Sequence, residues 1–398
     1  MKRTVLAGLA ACVVAGAALL PVTSARAADM KPDDGKGQVQ IAKQAASAIV
    51  MDAATGQVLF EKNSHEKLPP ASITKIMTML LVMEALESGK VKLSDKIRTS
   101  ERAASMGGSQ IFLEPGEEMT LEDMMKGIAL GSANDASVAV AEHLAGSEEE
   151  FVRLMNQRAQ ELGLKNTHFS NCNGLPVENH YTSAYDIAVM SRELLKHEPV
   201  LKWTAMYQDY LRKDTERPFW LVNTNKLVRF YQGVDGLKTG FTNESKYCLS
   251  ATAKRGEFRV IAVVMGEPTS PQRNADIAGM FDWAFANFYS EPIYKKGQVV
   301  QLGRIDKGYP AVIPMIAGDT VGILMKKGEK KDSFTQKVEF LPVRAPLKKG
   351  DVVGHVVVYK NGLEIGRTEI LAAQDVDKAG VASMFKRTMA SWLRLGSS

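Results

Sequence analysis

The chain has 398 residues, of which 45% are hydrophobic and 24% are charged, and its formal net charge at pH 7 is +5. This composition excludes disordered and fibrous proteins, and the length is sufficient for a full hydrophobic core and two folded domains. Nothing in the charge pattern indicates a nucleic-acid partner. The six histidines follow no metal-ligand spacing, so we expect no metal ion and no other cofactor.

The first 27 residues have the pattern of a secretory signal peptide. Met1-Lys2-Arg3 precede an apolar run from Val5 to Val22, and Ala25-Arg26-Ala27 supplies the small residues of a cleavage site. Cleavage after Ala27 removes three positive charges, so the net charge of the mature chain falls from +5 to +2. We therefore expect an exported protein at the outer face of the cytoplasmic membrane. Residues 28–44 are rich in Lys, Asp and Gly, which predicts a mobile leader.

Residues 45–290 show early strands, a helical middle and late strands. The early strands are Ser47 to Met51 and Gln57 to Glu61. Further helices are predicted at Leu121 to Leu130, Ala136 to Ala145, Glu148 to Leu162, Ala184 to Lys196 and Pro271 to Phe288. Late strands are predicted at Gly233 to Phe241, Tyr247 to Lys254 and Phe258 to Met265. This order favours an α+β fold in which both ends of the segment meet in one antiparallel sheet flanked by helices.

Beyond Glu291-Pro292 the pattern changes to short strands with Gly-rich turns, which predicts a second, smaller all-β domain over residues 291–380. These strands are Val299 to Leu302, Thr320 to Met325, Gln336 to Phe340, Asp351 to Val358 and Glu364 to Leu371. Residues 381–398 place an apolar stripe beside basic residues, which favours an amphipathic helix bound to a membrane surface. A helix docked on the chain's own β domain is the alternative.

Ser72 and Lys75 are a candidate nucleophile and base. They follow Pro69-Pro70, and the apolar spacing from Ile76 to Leu86 predicts a buried helix that begins at about Ser72. Side chains three residues apart share a helix face, so the Lys75 amine can reach the Ser72 hydroxyl. Burial and a nearby Lys238 would lower the pKa of Lys75. The same spacing at Ser64 and at Ser383 has no such context, so it is expected to be a chance surface pair.

Two further motifs follow downstream. Ser132-Ala133-Asn134 comes after Gly131 at the predicted exit of a helix, where a hydroxyl can relay a proton and an amide can bind a peptide-like substrate. Lys238-Thr239-Gly240 lies on a predicted strand, where Lys and Thr could hold an anion and Gly240 lets a substrate backbone approach. Taken alone, the first is more simply a helix end followed by an N-cap, and the second a solvent-facing strand.

Together, the three motifs form the S-x-x-K, S-D-N type and K-T-G set of penicillin-binding proteins and class A β-lactamases. With Ile49-Val50-Met51-Asp52, the run from Asp235 to Gly240 and the β-rich tail, the chain resembles a low-molecular-mass penicillin-binding protein of the D-alanyl-D-alanine carboxypeptidase family. The resemblance covers nearly the whole mature chain. It implies a β-lactamase/transpeptidase-like fold and removal of the terminal D-alanine from peptidoglycan pentapeptide stems. Penicillin and other β-lactams would then be covalent inhibitors.

The resemblance also implies roles for the motif residues. Ser72 would be the acylated nucleophile, Lys75 its base and Ser132 a proton relay, while Asn134 would contact a substrate amide. The oxyanion hole would consist of the backbone N–H groups of Ser72 and Phe241.

Substrate recognition would rest on a cationic site. Lys238 and Thr239 of the strand that ends in Gly240 would bind the substrate carboxylate. Arg273 matches the arginine that the family places beyond K-T-G, and a guanidinium can grip a carboxylate with two parallel hydrogen bonds. The alternative is that Arg273 is an exposed arginine at a helix start.

Three other functions stay open. A class A β-lactamase needs a deacylating glutamate, for which Glu178 is the nearest candidate, but its spacing and the later β domain do not match that group. Endopeptidase activity is a possible side reaction. A non-catalytic, β-lactam-sensing or cell-wall-binding protein of the same fold would be acylated by penicillin without turning over a D-Ala-D-Ala peptide. Cys172 and Cys248 are too few for a disulfide framework, although one bridge between them is possible.

Overall fold

The computed structural model describes residues 41–329 and 334–380. The expected signal peptide at 1–27, most of the expected leader and the expected anchor helix at 381–398 lie outside these residues. Within them, no helix combines the length and apolarity needed to cross a membrane.

Up to residue 287 the described chain alternates strands and helices. The strands are β1 (Ser47–Asp52), β2 (Val58–Lys62), β3 (Lys96–Arg98), β4 (Glu118–Thr120), β5 (Gln208–Leu211), β6 (Phe219–Val222), β7 (Val234–Thr242), β8 (Lys246–Arg255) and β9 (Phe258–Glu267). The helices are α1 (Lys75–Glu87), α2 (Glu101–Ala104), α3 (Leu121–Lys126), α4 (Asn134–Ala145), α5 (Glu148–Glu161), α6 (Ala184–Leu195), α7 (Leu201–Thr204), α8 (Leu227–Phe230) and α9 (Ser270–Asn287).

A five-stranded antiparallel sheet with the order β2-β1-β9-β8-β7 forms the centre of this part. Its strands are apolar on both faces, as in β9, where Ile261 packs on one side and Val260 and Ala262 on the other. One face is covered by α1, α4 and α6 among others, and the opposite face by α9. The chain's early and late strands therefore meet in one sheet, as predicted.

Residues 41–44 differ from the expected mobile leader. Ala42 is 2% exposed, and the carbonyl oxygens of Ala42, Lys43 and Ala45 accept hydrogen bonds from Lys62 Nζ at 2.7–3.2 Å. Lys62 is the last residue of β2, so its three hydrogen bonds hold the end of the leader against that strand.

The helical middle differs from the predictions in its details. The predicted helix Leu121 to Leu130 is α3 followed by a π-helical turn, Gly127–Gly131. The hairpins β3–β4 and β5–β6 were not predicted. All four strands are only three or four residues long, and β3, β4 and β5 carry charged residues, so none of them shows a sustained hydrophobic alternation.

The remaining described residues form the smaller all-β part. Its strands are β10 (Phe288–Tyr294), β11 (Val299–Arg304), β12 (Gly308–Tyr309), β13 (Val312–Ala317), β14 (Val321–Lys326), β15 (Phe334–Phe340), β16 (Val352–Lys360), β17 (Leu363–Ala372) and β18 (Asp377–Lys378). Five of them pair in the order β11-β13-β17-β16-β15, and β10 pairs with β14 beside them. The α+β fold with a smaller all-β unit is thus confirmed. β10 and β13 were missed because Pro292 and Pro314 lie inside them.

Candidate active site

Ser72 lies in a tight turn at the start of α1. A 3-10 turn, Ala71–Thr74, precedes the α-helix, and Ser72 is partly exposed within it. Ala71 has a φ of +47°, so the turn is backbone-strained before the nucleophile candidate. The predicted helix start is therefore confirmed within one turn.

Two glycines allow other segments to touch this turn. A Cβ at Gly174 would lie 1.9 Å from Ala71 O, and a Cβ at Gly240 would lie 2.9 Å from Pro70 O. The third motif therefore needs glycine at position 240 for contact with the nucleophile turn. This packing contact is a second reason for glycine at position 240, besides the predicted approach of a substrate backbone.

Lys75 is fully buried and contacts three oxygens. Its Nζ lies 3.1 Å from Ser72 Oγ, 2.6 Å from Asn134 Oδ1 and 2.6 Å from the backbone oxygen of Asn173. The Asn134 amide is oriented by its other end, since Nδ2 donates to Gly107 O at 2.8 Å. The first two motifs are thus in direct contact through Lys75.

This arrangement suits a neutral amine. Burial lowers the pKa of Lys75 from 10.5 to about 7, against an opposing contribution from the Asp135 carboxylate. A neutral amine has two N–H bonds and one lone pair. Asn134 Oδ1 and Asn173 O can accept the two N–H groups, which leaves the lone pair for the hydroxyl proton of Ser72.

Ser132 is buried and has a left-handed backbone. Its φ is +61° and it follows the π-helical turn. The left-handed residue at this helix end is therefore Ser132, although a glycine at position 131 would favour that conformation one residue earlier. Neither Ser132 nor Asn134 is the N-cap of α4. That position belongs to Ala133, whose side chain makes no capping bond. A non-glycine residue held in this conformation is typical of functional sites.

The loop at 170–174 supplies a contact that the sequence analysis missed. Asn171 Oδ1 accepts the N–H groups of Asn173 and Gly174 at 3.2 and 2.7 Å, and Asn173 Oδ1 accepts from Leu175 N at 2.9 Å. These bonds hold the Asn173 carbonyl against Lys75. The Asn-Cys-Asn-Gly run was the available indication of a tight turn at this place.

His180 stabilises the nucleophile turn through a chain of hydrogen bonds to Thr74. The Ser170 N–H donates to His180 Nδ1 at 2.9 Å, so Nε2 carries the ring hydrogen and donates to Thr74 Oγ1 at 2.7 Å. Thr74 Oγ1 donates in turn to Ala71 O at 2.8 Å. Burial lowers the pKa of His180 to about 4, so the ring is neutral at physiological pH.

Lys238 and Thr239 line the edge strand β7 of the central sheet. Lys238 is fully buried, and Nζ donates to Thr239 O at 3.0 Å. Burial lowers its pKa well below 10.5, and the positive charges of Lys75 and Arg273 lower it further. Thr239 Oγ1 donates to Thr224 Oγ1 at 2.7 Å, a partner that no sequence pattern indicated.

Arg273 lies in the first turn of α9 and is 4% exposed, which argues against the exposed helix-start alternative. Nε and Nη2 both donate to Asn274 Oδ1, at 3.1 and 2.9 Å. Its positive charge acts to lower the pKa of Lys238 and of Cys248. The Phe241 side chain is half exposed, and its ring centroid lies 4.4 Å from the ring centroid of Tyr247. Lys238 and Arg273 thus form a cationic group that an anion can stabilise.

The structure also bears on the candidate glutamate, the two cysteines and the search for a metal site. Glu178 is exposed on its loop, so its burial gives no support to the β-lactamase alternative. Cys172 and Cys248 are both free thiols and both buried. Within residues 41–329 and 334–380, no group of three or more His, Cys, Asp or Glu side chains could hold a metal ion.

Comparison with protein families gives a match over more than half of the chain. The family described as D-alanyl-D-alanine carboxypeptidase matches residues 34–269. The chain belongs to this family. A second model, the C-terminal domain of penicillin-binding protein 5, matches residues 288–378.

Curated relatives cover most of the chain. D-alanyl-D-alanine carboxypeptidase DacF of Bacillus subtilis (strain 168) is 52% identical over 362 residues, which are 91% of this chain and 93% of the relative. DacA of Escherichia coli (strain K12) is 33% identical over 341 residues, 83% of each protein. Among solved structures, penicillin-binding protein 5 from Haemophilus influenzae has a TM-score of 0.66 at 32% identity. The match covers 86% of this chain and all of that one.

Proposed function

We propose that this carboxypeptidase-family chain is a serine-type D-Ala-D-Ala carboxypeptidase that removes the terminal D-alanine from peptidoglycan pentapeptide stems through an acyl-enzyme. The observation that carries the proposal is the contact between Lys75 Nζ and Ser72 Oγ at 3.1 Å, with the remaining N–H groups of Lys75 directed at two other oxygens. Family membership and relatives named as D-alanyl-D-alanine carboxypeptidases support the same activity.

Acylation begins at Ser72. Neutral Lys75 takes the hydroxyl proton as Ser72 Oγ attacks the carbonyl carbon of the penultimate D-alanine. The negative charge on the carbonyl oxygen is stabilised by the backbone N–H groups of Ser72 and Phe241. Gly240 packs closely against Pro70, which brings the edge of β7 beside the nucleophile turn. This packing supports a short distance between the two N–H groups.

The leaving D-alanine needs a proton at its amine nitrogen. Protonated Lys75 and the Ser132 hydroxyl supply it by relay, and Asn134 binds a substrate amide while its Oδ1 remains on Lys75. Water then hydrolyses the Ser72 ester, with the amine of Lys75 again available as the base. The same nucleophile would attack the β-lactam amide, which leads to a penicillin adduct.

The terminal carboxylate is bound by the cationic group. Lys238 and Arg273 are both buried, and their charges repel each other, so a carboxylate between them relieves that repulsion. Arg273 can orient the carboxylate with two parallel hydrogen bonds, and Thr239 adds a hydroxyl. A peptide that ends in a free carboxylate is therefore preferred over an amidated one.

The protein acts on the outer face of the cytoplasmic membrane. The signal-peptide pattern of residues 1–27 supports export, and the basic, amphipathic pattern of residues 381–398 supports attachment to the membrane surface.

The decisive experiment is mass spectrometry of pentapeptide muropeptides after incubation with the mature chain. We expect loss of one D-alanine with the wild type and no loss with Ser72→Ala. A stable penicillin adduct without any D-alanine release would contradict the carboxypeptidase assignment and favour a β-lactam-sensing or wall-binding protein.

A further inference from the structure

Thr224 lies between the second and third motifs. Its backbone N–H donates to Leu130 O at 3.1 Å, two residues before Ser132. Its hydroxyl accepts a hydrogen bond from Thr239 Oγ1 at 2.7 Å. Thr224 therefore contacts both the π-helical turn that leads to Ser132 and the edge strand β7, which carries part of the proposed carboxylate site.

Two buried asparagines fix the backbone on either side of Thr224. Asn223 and Asn225 are each 1% exposed, and the N–H of Asn225 donates to Asn223 Oδ1 at 2.8 Å. Asn223 Nδ2 donates to Thr204 O at 3.0 Å, and Asn225 Nδ2 donates to Gly236 O of β7 at 3.0 Å. Because both neighbours are bonded in this way, the position of Thr224 beside β7 is set before any substrate binds.

The Thr224 hydroxyl keeps a proton that it does not use within the protein. A threonine hydroxyl has one O–H group to donate and two lone pairs to accept. Thr239 donates its proton to Thr224, whereas the Thr224 O–H has no acceptor within residues 41–329 and 334–380. Thr224 is also partly exposed, while Thr239 is 6% exposed. The free O–H group of this pair therefore belongs to Thr224 and is available to a ligand.

We propose that Thr224 donates this O–H to the terminal carboxylate of the substrate, which makes it a further substrate-binding residue. The proposal rests on the proposed carboxypeptidase function and its carboxylate site. A carboxylate has about four lone-pair positions on its two oxygens, so it can accept from the Arg273 guanidinium and from a hydroxyl at once. The bond from Thr239 strengthens Thr224 as a donor, because hydrogen bonds in a chain polarise one another.

Kinetics on two peptides test this proposal. For a peptide that ends in a free D-Ala carboxylate, Thr224→Val should lower kcat/KM at least about tenfold, mainly through a higher KM, because a hydrogen bond to a charged acceptor is lost. On the amidated peptide the loss should be about threefold or less, because a neutral amide oxygen accepts a weaker bond. Thr224→Ser keeps the hydroxyl and should restore most of the wild-type preference for the free carboxylate.

Thr215→Val is the matched control and should behave as the wild type, since Thr215 is an exposed threonine in the loop of the β5–β6 hairpin. Equal losses of Thr224→Val on both peptides, or no loss on the free-carboxylate peptide, would overturn the proposal. So would a Thr224→Ser enzyme that loses as much as Thr224→Val. If Thr224→Val does not fold, Thr224→Ala removes the same hydroxyl and gives the same comparison. D-alanine release by the wild type tests the proposed function separately, since every outcome here compares a variant with an active wild type.

Discussion

The Lys75→Arg substitution tests the proposed base most sharply. A guanidinium stays charged at every working pH, so it cannot accept the Ser72 proton even if it occupies the same space. We expect the variant to fold, because the guanidinium can still donate hydrogen bonds to Asn134 Oδ1 and Asn173 O, and to lose acylation by penicillin.

The expected magnitude follows from the pKa. Burial lowers the pKa of Lys75 from 10.5 to about 7, so about half of the wild-type amine is neutral at pH 7. An amine with the ordinary value would be neutral in roughly one molecule in 3000, a difference of about 4 kcal/mol in the availability of the neutral base. Lys75→Arg should therefore acylate at least about a thousandfold more slowly than the wild type.

The assay is the second-order rate of acylation by a fluorescent penicillin between pH 5 and 9. Only the neutral amine of Lys75 can accept the proton, and its fraction increases with pH up to the pKa. The wild-type rate should therefore rise about tenfold per pH unit below pH 7 and level off above it. Lys202→Arg, an exposed lysine paired with Glu122, is the control and should match the wild type. A flat wild-type profile, or Lys75→Arg within tenfold of the wild type, would refute Lys75 as the base.

Three other predictions concern recognition, the nucleophile turn and attachment. Arg273→Ala should weaken turnover of a peptide ending in D-Ala-D-Ala by about 2–4 kcal/mol and leave the amidated peptide nearly unchanged; equal losses on both would indicate a structural role. Gly174→Ala should lower the free energy of unfolding by more than about 1 kcal/mol and slow acylation, because its Cβ would meet Ala71 O at 1.9 Å. Gly279→Ala, whose Cβ meets no atom within 4 Å, should keep wild-type activity and serves as its control. Deleting residues 381–398 should release the protein from membranes with activity intact, and continued sedimentation with membranes would argue against the anchor.

The sequence predicted the contacts that depend on local spacing. Ser72 and Lys75 stand three residues apart at a helix start, so their contact follows from helical geometry alone. Short runs that are apolar on consecutive residues likewise predicted β1, β8 and β9, because both faces of their sheet are covered. The order of early strands, helices and late strands predicted that they meet in one sheet.

Contacts that depend on main-chain atoms or on distant hairpins could not be predicted in this way. Lys75 donates to the backbone carbonyl of Asn173, and every residue type carries such a carbonyl, so no side-chain pattern indicates this contact. Thr224 reaches Thr239 only because its N–H donates to Leu130 O after the unpredicted hairpin β5–β6. The left-handed backbone of Ser132 is equally invisible, since serine carries no preference for it.

The central claim is that Ser72 accepts the acyl group. Intact-mass analysis of the protein after incubation with penicillin tests it most directly. The wild type should gain the mass of one penicillin, peptide mapping should assign it to Ser72, and Ser72→Ala should gain none. A single adduct of undiminished yield in Ser72→Ala, or one mapped to another residue, would contradict the account.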